Sequence, residues 1–419
     1  MADKRILFLH SAKVNEKFLY TTKLLCLVAV ANSIDFETEI LDFATIKKSN
    51  ALLKDFQPSH IVAEVSLNTY KENLELLSFL KKQYPNICVI ITAPPCIAQN
   101  VNTIYENPFI DYVIFADDEF VLKDILTGVP KEEILGISYL HNMQGIKNDN
   151  REYLQNLDSF PFLPNNLNKH RGQCVIQVSR GCPDIEFADT KTLVEGNCLR
   201  IKSPEAVIRE ITDCIDKYNI KNFYFDGEVF SYSKDWTVDF CNKLIKQFDK
   251  ISWSAKISPK FVDEDLLRTM KKAGCKELLI NLYSGNDSVL ASVDAKYTVS
   301  DIKNAFNMIN KYKIKSDVSF FIGLPSDTLK TVEETILLAK SLNSNNVSFK
   351  YPVPEPGTRF FAYGMLNKLI DKQIVFHNNG DPIVRTHSLS KEQLKEIKNK
   401  AEAYTKKRFW QFTKKTISF

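Results

Sequence analysis

Residues 60–93 read HIVAEVSLNTYKENLELLSFLKKQYPNICVIITA, and this stretch decides the fold of the first part of the chain. A β-rich run at 60–65 is followed by a helical pattern at 70–83, with apolar residues three or four positions apart, and by a second β-rich run at 88–93. Continuous apolar strands that alternate with amphipathic helices are typical of a parallel sheet covered on both faces.

The same alternation extends over residues 1–127, where further β-rich runs lie at 5–10, 38–43 and 112–116. Five such units predict a flavodoxin-like, doubly wound α/β domain over 1–127. The ligand crevice of such a domain, if it is used, lies at the carboxyl ends of the strands.

A second α/β series follows an irregular, polar stretch at 128–170, which ends in a proline-rich segment and which we interpret as a linker. The β-rich runs of this series lie at 173–179, 222–226, 251–257, 277–283, 316–323 and 346–353. Six successive βα units predict a partial (β/α)6 barrel over 171–365, with its site at the C-terminal ends of the strands. Residues 366–419 are predicted to form a C-terminal helical tail, Lys-rich from 389 onward, whose basic and aromatic residues fit a solvated helix better than an RNA-binding surface.

The composition excludes several classes of protein. The 419 residues are 44% hydrophobic and 25% charged, which is typical of a globular chain. The net charge of +4 arises from nearly equal numbers of basic and acidic residues, so we expect no nucleic-acid partner. The apolar runs at 5–10 and 24–31 are too short for a signal peptide or a membrane span. Nine scattered cysteines indicate a reducing compartment, and we therefore expect a cytoplasmic protein.

An ordered series of short motifs runs through the chain. The motifs are GISY at 136–139, LDSFP at 157–161, VSRGCP at 178–183, SPE at 203–205, DGE at 226–228, AGC at 273–275, SG at 284–285, IGLP at 322–325 and PEPGT at 354–358. In this order they resemble the motifs of cobalamin (B12)-binding-domain radical-SAM proteins, and the resemblance covers roughly residues 1–365. It implies a B12-binding-like first domain, a radical-SAM-like barrel, and cobalamin and S-adenosylmethionine as candidate cofactors.

The decisive motif of that family is C-x3-C-x2-C directly after S-R-G, where three thiolates bind a [4Fe–4S] cluster whose open iron chelates S-adenosylmethionine. The corresponding positions here hold Cys182, Glu186 and Asp189. Hard carboxylates are poor substitutes for the soft thiolates of iron–sulfide clusters, so we expect no ordinary cluster. Cys182 with the acidic residues around it is a candidate site for zinc or iron, although a solvated acidic loop is the simpler interpretation.

The resemblance also implies a site for S-adenosylmethionine at the barrel strands. The pair Gly227-Glu228 resembles the family's contact with the amino end of the cofactor, and 323–325 resembles the loop near its adenine. The family's G-x-E-S-G stretch reads NLYSG at 281–285, without the first glycine and the carboxylate. Glycine and proline after strands also simply form turns. The candidate residues are Asp226, Gly227, Glu228, Ser284, Gly323, Leu324 and Pro325.

The first domain departs from the family in its crevice. It contains no glycine before Gly128, and biased residue usage is the simple explanation. Where members of that family carry Gly-Gly-Pro and Gly-Glu-Gly-Glu, this chain has TAPP at 92–95 and ADDE at 116–119. The residues that replace the glycines carry Cβ atoms, and we expect these atoms to narrow a crevice that glycine would leave open to a flat corrin. The acidic pair would also repel the phosphate of the nucleotide tail. The candidate crevice residues are His10, Ser66, Thr69, Ala93, Asp117 and Asp118.

Three functions remain open from the sequence. The first is a divergent radical-SAM-superfamily protein without the usual 5′-deoxyadenosyl radical chemistry, which acts by binding a small molecule or a partner protein. The second is an active cobalamin-dependent methyltransferase or ring-forming enzyme with unconventional cluster ligands. The third is a non-radical enzyme that uses the barrel mouth, with Cys182, Glu186, Asp226 and Glu228 as acid–base or metal groups. The sequence identifies no catalytic residue beyond these alternatives.

Overall fold

The structure is a computed structural model that describes residues 4–10, 20–48, 51–115, 118–164, 173–181, 187, 196–370 and 381–416. The chain divides into two compact units. The first comprises Met1–Gly181 with Lys191–Lys221, and the second comprises Cys182–Thr190 with Asn222–Phe419. Each unit contains parallel strands alternating with helices, which confirms the predicted fold class; the boundaries of the four predicted segments remain predictions.

The first unit contains a doubly wound sheet in the order β2-β1-β3-β4-β5. Its parallel strands are β1 (Arg5–His10), β2 (Glu37–Asp42), β3 (His60–Glu64), β4 (Cys88–Thr92) and β5 (Tyr112–Ile114). The described helices between and after them are α1 (Thr22–Ser33), α2 (Phe43–Lys48), α3 (Ala51–Phe56), α4 (Tyr70–Gln83), α5 (Pro95–Ala98), α6 (Asn102–Glu106) and α7 (Asp118–Leu126). The strand order reverses between β1 and β3, the position at which such sheets bind ligands.

Helices cover both faces of this sheet. Ile6 and Phe8 of β1 belong to the core cluster that includes Leu24 and Leu27 of α1. Leu9 belongs to the opposite cluster, which includes α4. Because successive strand residues point to opposite faces, the last residue of β1 lies on the face covered by α1.

A β-hairpin extends this sheet, whereas the sequence predicted irregular structure. β6 (Ile137–His141) pairs antiparallel with β5, and β7 (Gln144–Lys147) pairs antiparallel with β6. Asn142 and Met143 form the turn with φ of 48° and 61°, the left-handed conformation that two-residue hairpin turns require. The prediction was wrong here because strands of four and five residues give too short an alternation, and methionine is not a residue that signals such a turn.

The first unit continues with β8 (Cys174–Gln177), β9 (Ser179–Arg180), β10 (Arg200–Ile201) and helix α8 (Pro204–Tyr218). β9 and β10 pair antiparallel. The Ser203 hydroxyl accepts a hydrogen bond from the Ala206 N–H and Pro204 occupies the first helical turn, so the SPE motif is a helix start.

The second unit contains five parallel strands in the order β15-β14-β13-β12-β11. They are β11 (Asn222–Asp226), β12 (Ser252–Lys256), β13 (Cys275–Leu282), β14 (Lys315–Phe321) and β15 (Asn346–Lys350). The helices are α9 (Lys234–Gln247), α10 (Glu264–Lys272), α11 (Asp287–Ser292), α12 (Val299–Lys311), α13 (Leu329–Ser341), α14 (Arg359–Leu366) and α15 (Lys391–Thr416). None of the described helices combines the length and the apolar composition needed to cross a bilayer.

The two faces of this second sheet differ in chemistry. Phe225 and Trp253 are fully buried, and Phe225 packs against Phe240 of α9, which identifies the helix-covered face. The alternate positions on the other face are largely polar: Tyr224, Asp226, Ser254, Lys256, Asn281, Asp317 and Ser319. This second face therefore presents hydrogen-bonding groups near the carboxyl ends of the strands.

Candidate functional site

The candidate residues 226–228 lie at the carboxyl end of β11. Asp226 is the last residue of the strand and is half-buried, and Gly227 is buried. The Glu228 carboxylate forms an ion pair with the ammonium group of Lys256, the last residue of β12. Sequence reasoning missed Lys256, although a lysine at the end of a predicted barrel strand was a visible signal.

The second candidate position, Ser284, is tied to the helix layer. Ser284 is buried, and its hydroxyl lies 3.1 Å from Oγ1 of Thr335 in α13. The same Thr335 oxygen accepts a hydrogen bond from the Gly285 N–H at 2.8 Å. A Cβ on Gly285 would lie 2.6 Å from the Thr335 Cα atom, so this glycine permits a close approach of backbone to helix. The SG motif thus has a packing role in this chain.

The loop 323–325 after β14 is closed by a buried carboxylate. Oδ2 of Asp327 accepts hydrogen bonds from the backbone N–H groups of Gly323 and Leu324, each at 3.0 Å. Its other oxygen accepts from the Thr331 hydroxyl at 3.1 Å. Burial raises the pKa of Asp327 to about 6, even though these hydrogen bonds favour the charged form. Leu324 and Pro325 are buried. Two backbone N–H groups of the loop are thus already hydrogen-bonded to a side chain of the same chain.

Sequence reasoning also missed Asp327. Its signal was an aspartate just after the turn, because Asp side chains readily accept hydrogen bonds from nearby backbone N–H groups. The roles of the seven candidate residues as contacts of S-adenosylmethionine remain predictions.

The positions Cys182, Glu186 and Asp189 lie outside the described residues. Phe187, between the last two, is described and packs in the second unit against Phe360 and Tyr363 of α14, with ring centroids 5.4 Å and 5.8 Å away. Its carbonyl oxygen accepts a hydrogen bond from the Phe360 N–H at 3.0 Å. Phe187 is therefore anchored to α14. Within the described ranges, no three His, Cys, Asp or Glu side chains are grouped to hold a metal ion.

The crevice candidates of the first unit lie around the carboxyl edge of its sheet. The Ser66 and Thr69 hydroxyls lie 2.8 Å apart, and Thr69 accepts a hydrogen bond from the Asn73 amide at 2.9 Å. Ala93 is buried directly after β4, and His10 is buried at the end of β1. Asp117 lies outside the described residues.

Asp118 and Glu119, at the start of α7, are both buried and both paired. Asp118 lies 2.5 Å from the Lys23 ammonium group, and burial raises the pKa of Asp118 to about 6 despite this cation. Burial also opposes ionisation of Glu119, but the Arg180 guanidinium outweighs it and lowers the pKa of Glu119.

Arg180, the arginine of the SRG motif, is fixed on several sides. It forms an ion pair with Glu119, donates from Nε to the Gln177 side chain at 3.0 Å and stacks 4.6 Å above the Phe160 ring. Because Arg180 stands two positions before Cys182 in the sequence, these contacts fix the chain just before the motif segment.

Comparisons with known proteins agree with this architecture. Residues 187–339 match the sequence model of the Radical SAM superfamily. An uncharacterised methyltransferase of Pyrococcus horikoshii, PH0819, is 27% identical over 380 residues, which cover 88% of this chain and 82% of that protein. The anaerobic magnesium-protoporphyrin IX monomethyl ester cyclase of Cereibacter sphaeroides is 20% identical over 403 residues, which cover 90% of this chain but 65% of the cyclase.

Two solved structures share the fold. The radical S-adenosylmethionine methyltransferase TsrM from Kitasatospora setae, with cobalamin and a [4Fe–4S] cluster bound, superposes with a TM-score of 0.70 at 14% identity, over 85% of this chain and 77% of that one. The cobalamin-dependent S-adenosylmethionine radical enzyme OxsB, with aqua-cobalamin bound, superposes with a TM-score of 0.65 at 18% identity, over 87% of this chain and 55% of that one.

Proposed function

We propose that this chain is a radical-SAM superfamily protein with a first domain of the B12-binding type, that it lacks ordinary 5′-deoxyadenosyl radical chemistry, and that it acts as a binding or partner protein. The observation that carries the proposal is the set Cys182, Glu186 and Asp189, in which carboxylates stand at two of the three positions after SRG. Carboxylates suit hard cations, whereas iron–sulfide clusters are held by thiolates.

The hydrogen bonds at the barrel mouth support the same proposal. Glu228, which the family resemblance assigns to the amino end of S-adenosylmethionine, is paired with Lys256. The N–H groups of Gly323 and Leu324 are bonded to Asp327. A ligand at either position would first have to displace a partner within the chain. At the second position this would leave the buried Asp327 carboxylate unpaired, which costs free energy.

Anaerobic reconstitution of the full-length protein with iron and sulfide tests the proposal. We expect no stoichiometric cluster, measured as bound iron and as charge-transfer absorption. About four irons per chain, lost in the Cys182→Ala variant, would establish a cluster and favour an active radical enzyme instead. PH0819 and TsrM, both described as methyltransferases, indicate the reaction class to assay in that case.

A non-radical reaction at the barrel mouth is the second candidate function. Asp226, Glu228 and Lys256 lie at the ends of two adjacent strands and are half-buried, an arrangement that suits acid–base chemistry on a polar small molecule. This second candidate function is compatible only with an anaerobic reconstitution in which no iron–sulfur cluster forms.

A further inference from the structure

We propose that the crevice at the carboxyl edge of the first sheet is filled by side chains of the chain itself, and that the first unit binds no corrin cofactor. This inference concerns only the first unit and does not depend on the proposed absence of the iron–sulfur cluster.

Three polar residues mark the floor of the crevice. His10, Glu64 and Thr92 are the last residues of β1, β3 and β4, which are neighbours in the sheet, and Glu64 pairs in register with Thr92. Two residues earlier on these strands stand Phe8, Val62 and Ile90, all in the core cluster of α1. The three polar side chains therefore share the face covered by α1, beside the switch point between β1 and β3.

The start of α1 and the two residues before it lie over this row. The Tyr20 ring contacts the His10 ring edge-on with centroids 5.2 Å apart, and the Thr21 hydroxyl donates to Glu64 at 2.9 Å. Lys23 reaches the other side of the crevice and pairs with Asp118 at 2.5 Å. These contacts connect α1 to β1, to β3 and to the start of α7.

Two of the three described residues at the floor of the crevice are buried, as is Asp118. Thr92 is 0% exposed, and His10 and Asp118 are each 6% exposed. These described strand ends therefore present almost no surface to a ligand, whereas a nucleotide tail needs a continuous channel between strand ends. No glycine before Gly128 is available to let a ligand approach the backbone closely.

The charge of the crevice is also wrong for a corrin nucleotide tail, which carries a phosphate. Glu64 and Asp118 are carboxylates on this face, and the positive charge of Lys23 is already engaged by Asp118. Asp42 adds a third carboxylate, since it stands in register with His10 at the end of β2. A phosphate would meet net negative charge in a poorly solvated site.

A titration of the full-length protein with hydroxocobalamin tests the proposal directly. We expect no saturable change in the corrin spectrum up to about 100 µM cofactor, a concentration that would saturate a micromolar site. A one-to-one spectral change with a micromolar or tighter dissociation constant would overturn the proposal. The iron measurement does not involve this crevice. Each experiment can therefore contradict its own proposal, the absent cluster or the absent corrin site, without affecting the other.

A second measurement examines whether Lys23 and Asp118 hold the crevice closed. We expect Lys23→Met and Asp118→Asn each to lower the melting temperature, because the first leaves the buried Asp118 carboxylate without its cation and the second leaves the half-buried Lys23 ammonium group without its anion. The double variant should regain part of the combined loss. Lys82→Met, on the exposed side of α4, is the control and should leave the melting temperature unchanged. Fully additive losses, or none, would contradict the proposed closure.

Discussion

The Asp327 carboxylate accepts hydrogen bonds from the backbone N–H groups of both Gly323 and Leu324. Asp327 is 2% exposed, and its pKa is raised from 3.8 to about 6. The folded state therefore binds a proton more tightly than the unfolded state. The stabilisation from that proton is complete below about pH 4 and is lost as the pH rises through about 6.

We predict that Asp327→Asn removes this pH dependence. Relative to the variant, the wild-type protein should lose up to about 3 kcal/mol of unfolding free energy between about pH 4 and pH 6.5, because one pH unit corresponds to about 1.4 kcal/mol. Chemical unfolding at several pH values measures the difference. Asp265→Asn is the control, since Asp265 is 72% exposed and its replacement should not change the pH dependence. If the stability of the wild-type protein relative to Asp327→Asn instead rises with pH, the raised pKa of Asp327 is contradicted.

We predict that Arg180→Met strongly destabilises the first unit. Its side chain is 7% exposed and pairs with a Glu119 side chain that is 2% exposed, so the variant leaves a buried carboxylate without its cation. The expected loss is about 3–5 kcal/mol, and Arg180→Met with Glu119→Leu should recover part of it.

The matched control for this prediction is Arg268→Met. Arg268 and Asp265 form an ion pair in which the side chains are 56% and 72% exposed, and such pairs contribute about 0–1 kcal/mol. Equal losses from Arg180→Met and Arg268→Met in chemical unfolding would show that burial of the Glu119 pair has no energetic consequence.

The fold was predictable because its signals are local and repeated. Apolar runs such as 88–93 and amphipathic stretches such as 70–83 identify strands and helices independently of each other, and both lie within a residue of the observed bounds. The hairpin at 137–147 was not predictable in this way, because its pairing with β5 is a tertiary contact and its turn contains no glycine.

The sequence predicted the candidate site only to the extent that motifs show which residues follow a strand. The sequence indicated that Glu228 and Gly323 follow barrel strands, but not that Lys256 and Asp327 satisfy their hydrogen bonds. Partners of this kind depend on the register between strands and on the path of loops. Likewise, Asp118 was expected to repel a phosphate, whereas its pairing with Lys23 required the position of α1.

We predict that Lys256→Met increases affinity for S-adenosylmethionine. Lys256 places an ammonium group on the Glu228 carboxylate, where the amino group of that ligand would compete with it. Removal of this competitor should strengthen binding by about tenfold, which corresponds to about 1.4 kcal/mol, as measured by calorimetry. Lys260→Met removes the same charge at an exposed position and should have no effect. Unchanged or weaker binding in Lys256→Met would exclude Glu228 as the amine-binding group.

Finally, we predict that Glu186→Cys and Asp189→Cys together increase iron incorporation on anaerobic reconstitution. The double variant restores the C-x3-C-x2-C spacing with Cys182, and three thiolates at this spacing supply the soft ligands that a [4Fe–4S] cluster requires. The pair Asp184→Cys and Asp189→Cys adds the same number of thiols at the wrong spacing and is the control. Bound iron and visible absorption are the readouts. If both double variants bind equal amounts of iron, the thiols act as nonspecific metal ligands, and the correspondence of residues 182–189 to the family motif does not extend to the geometry of the segment.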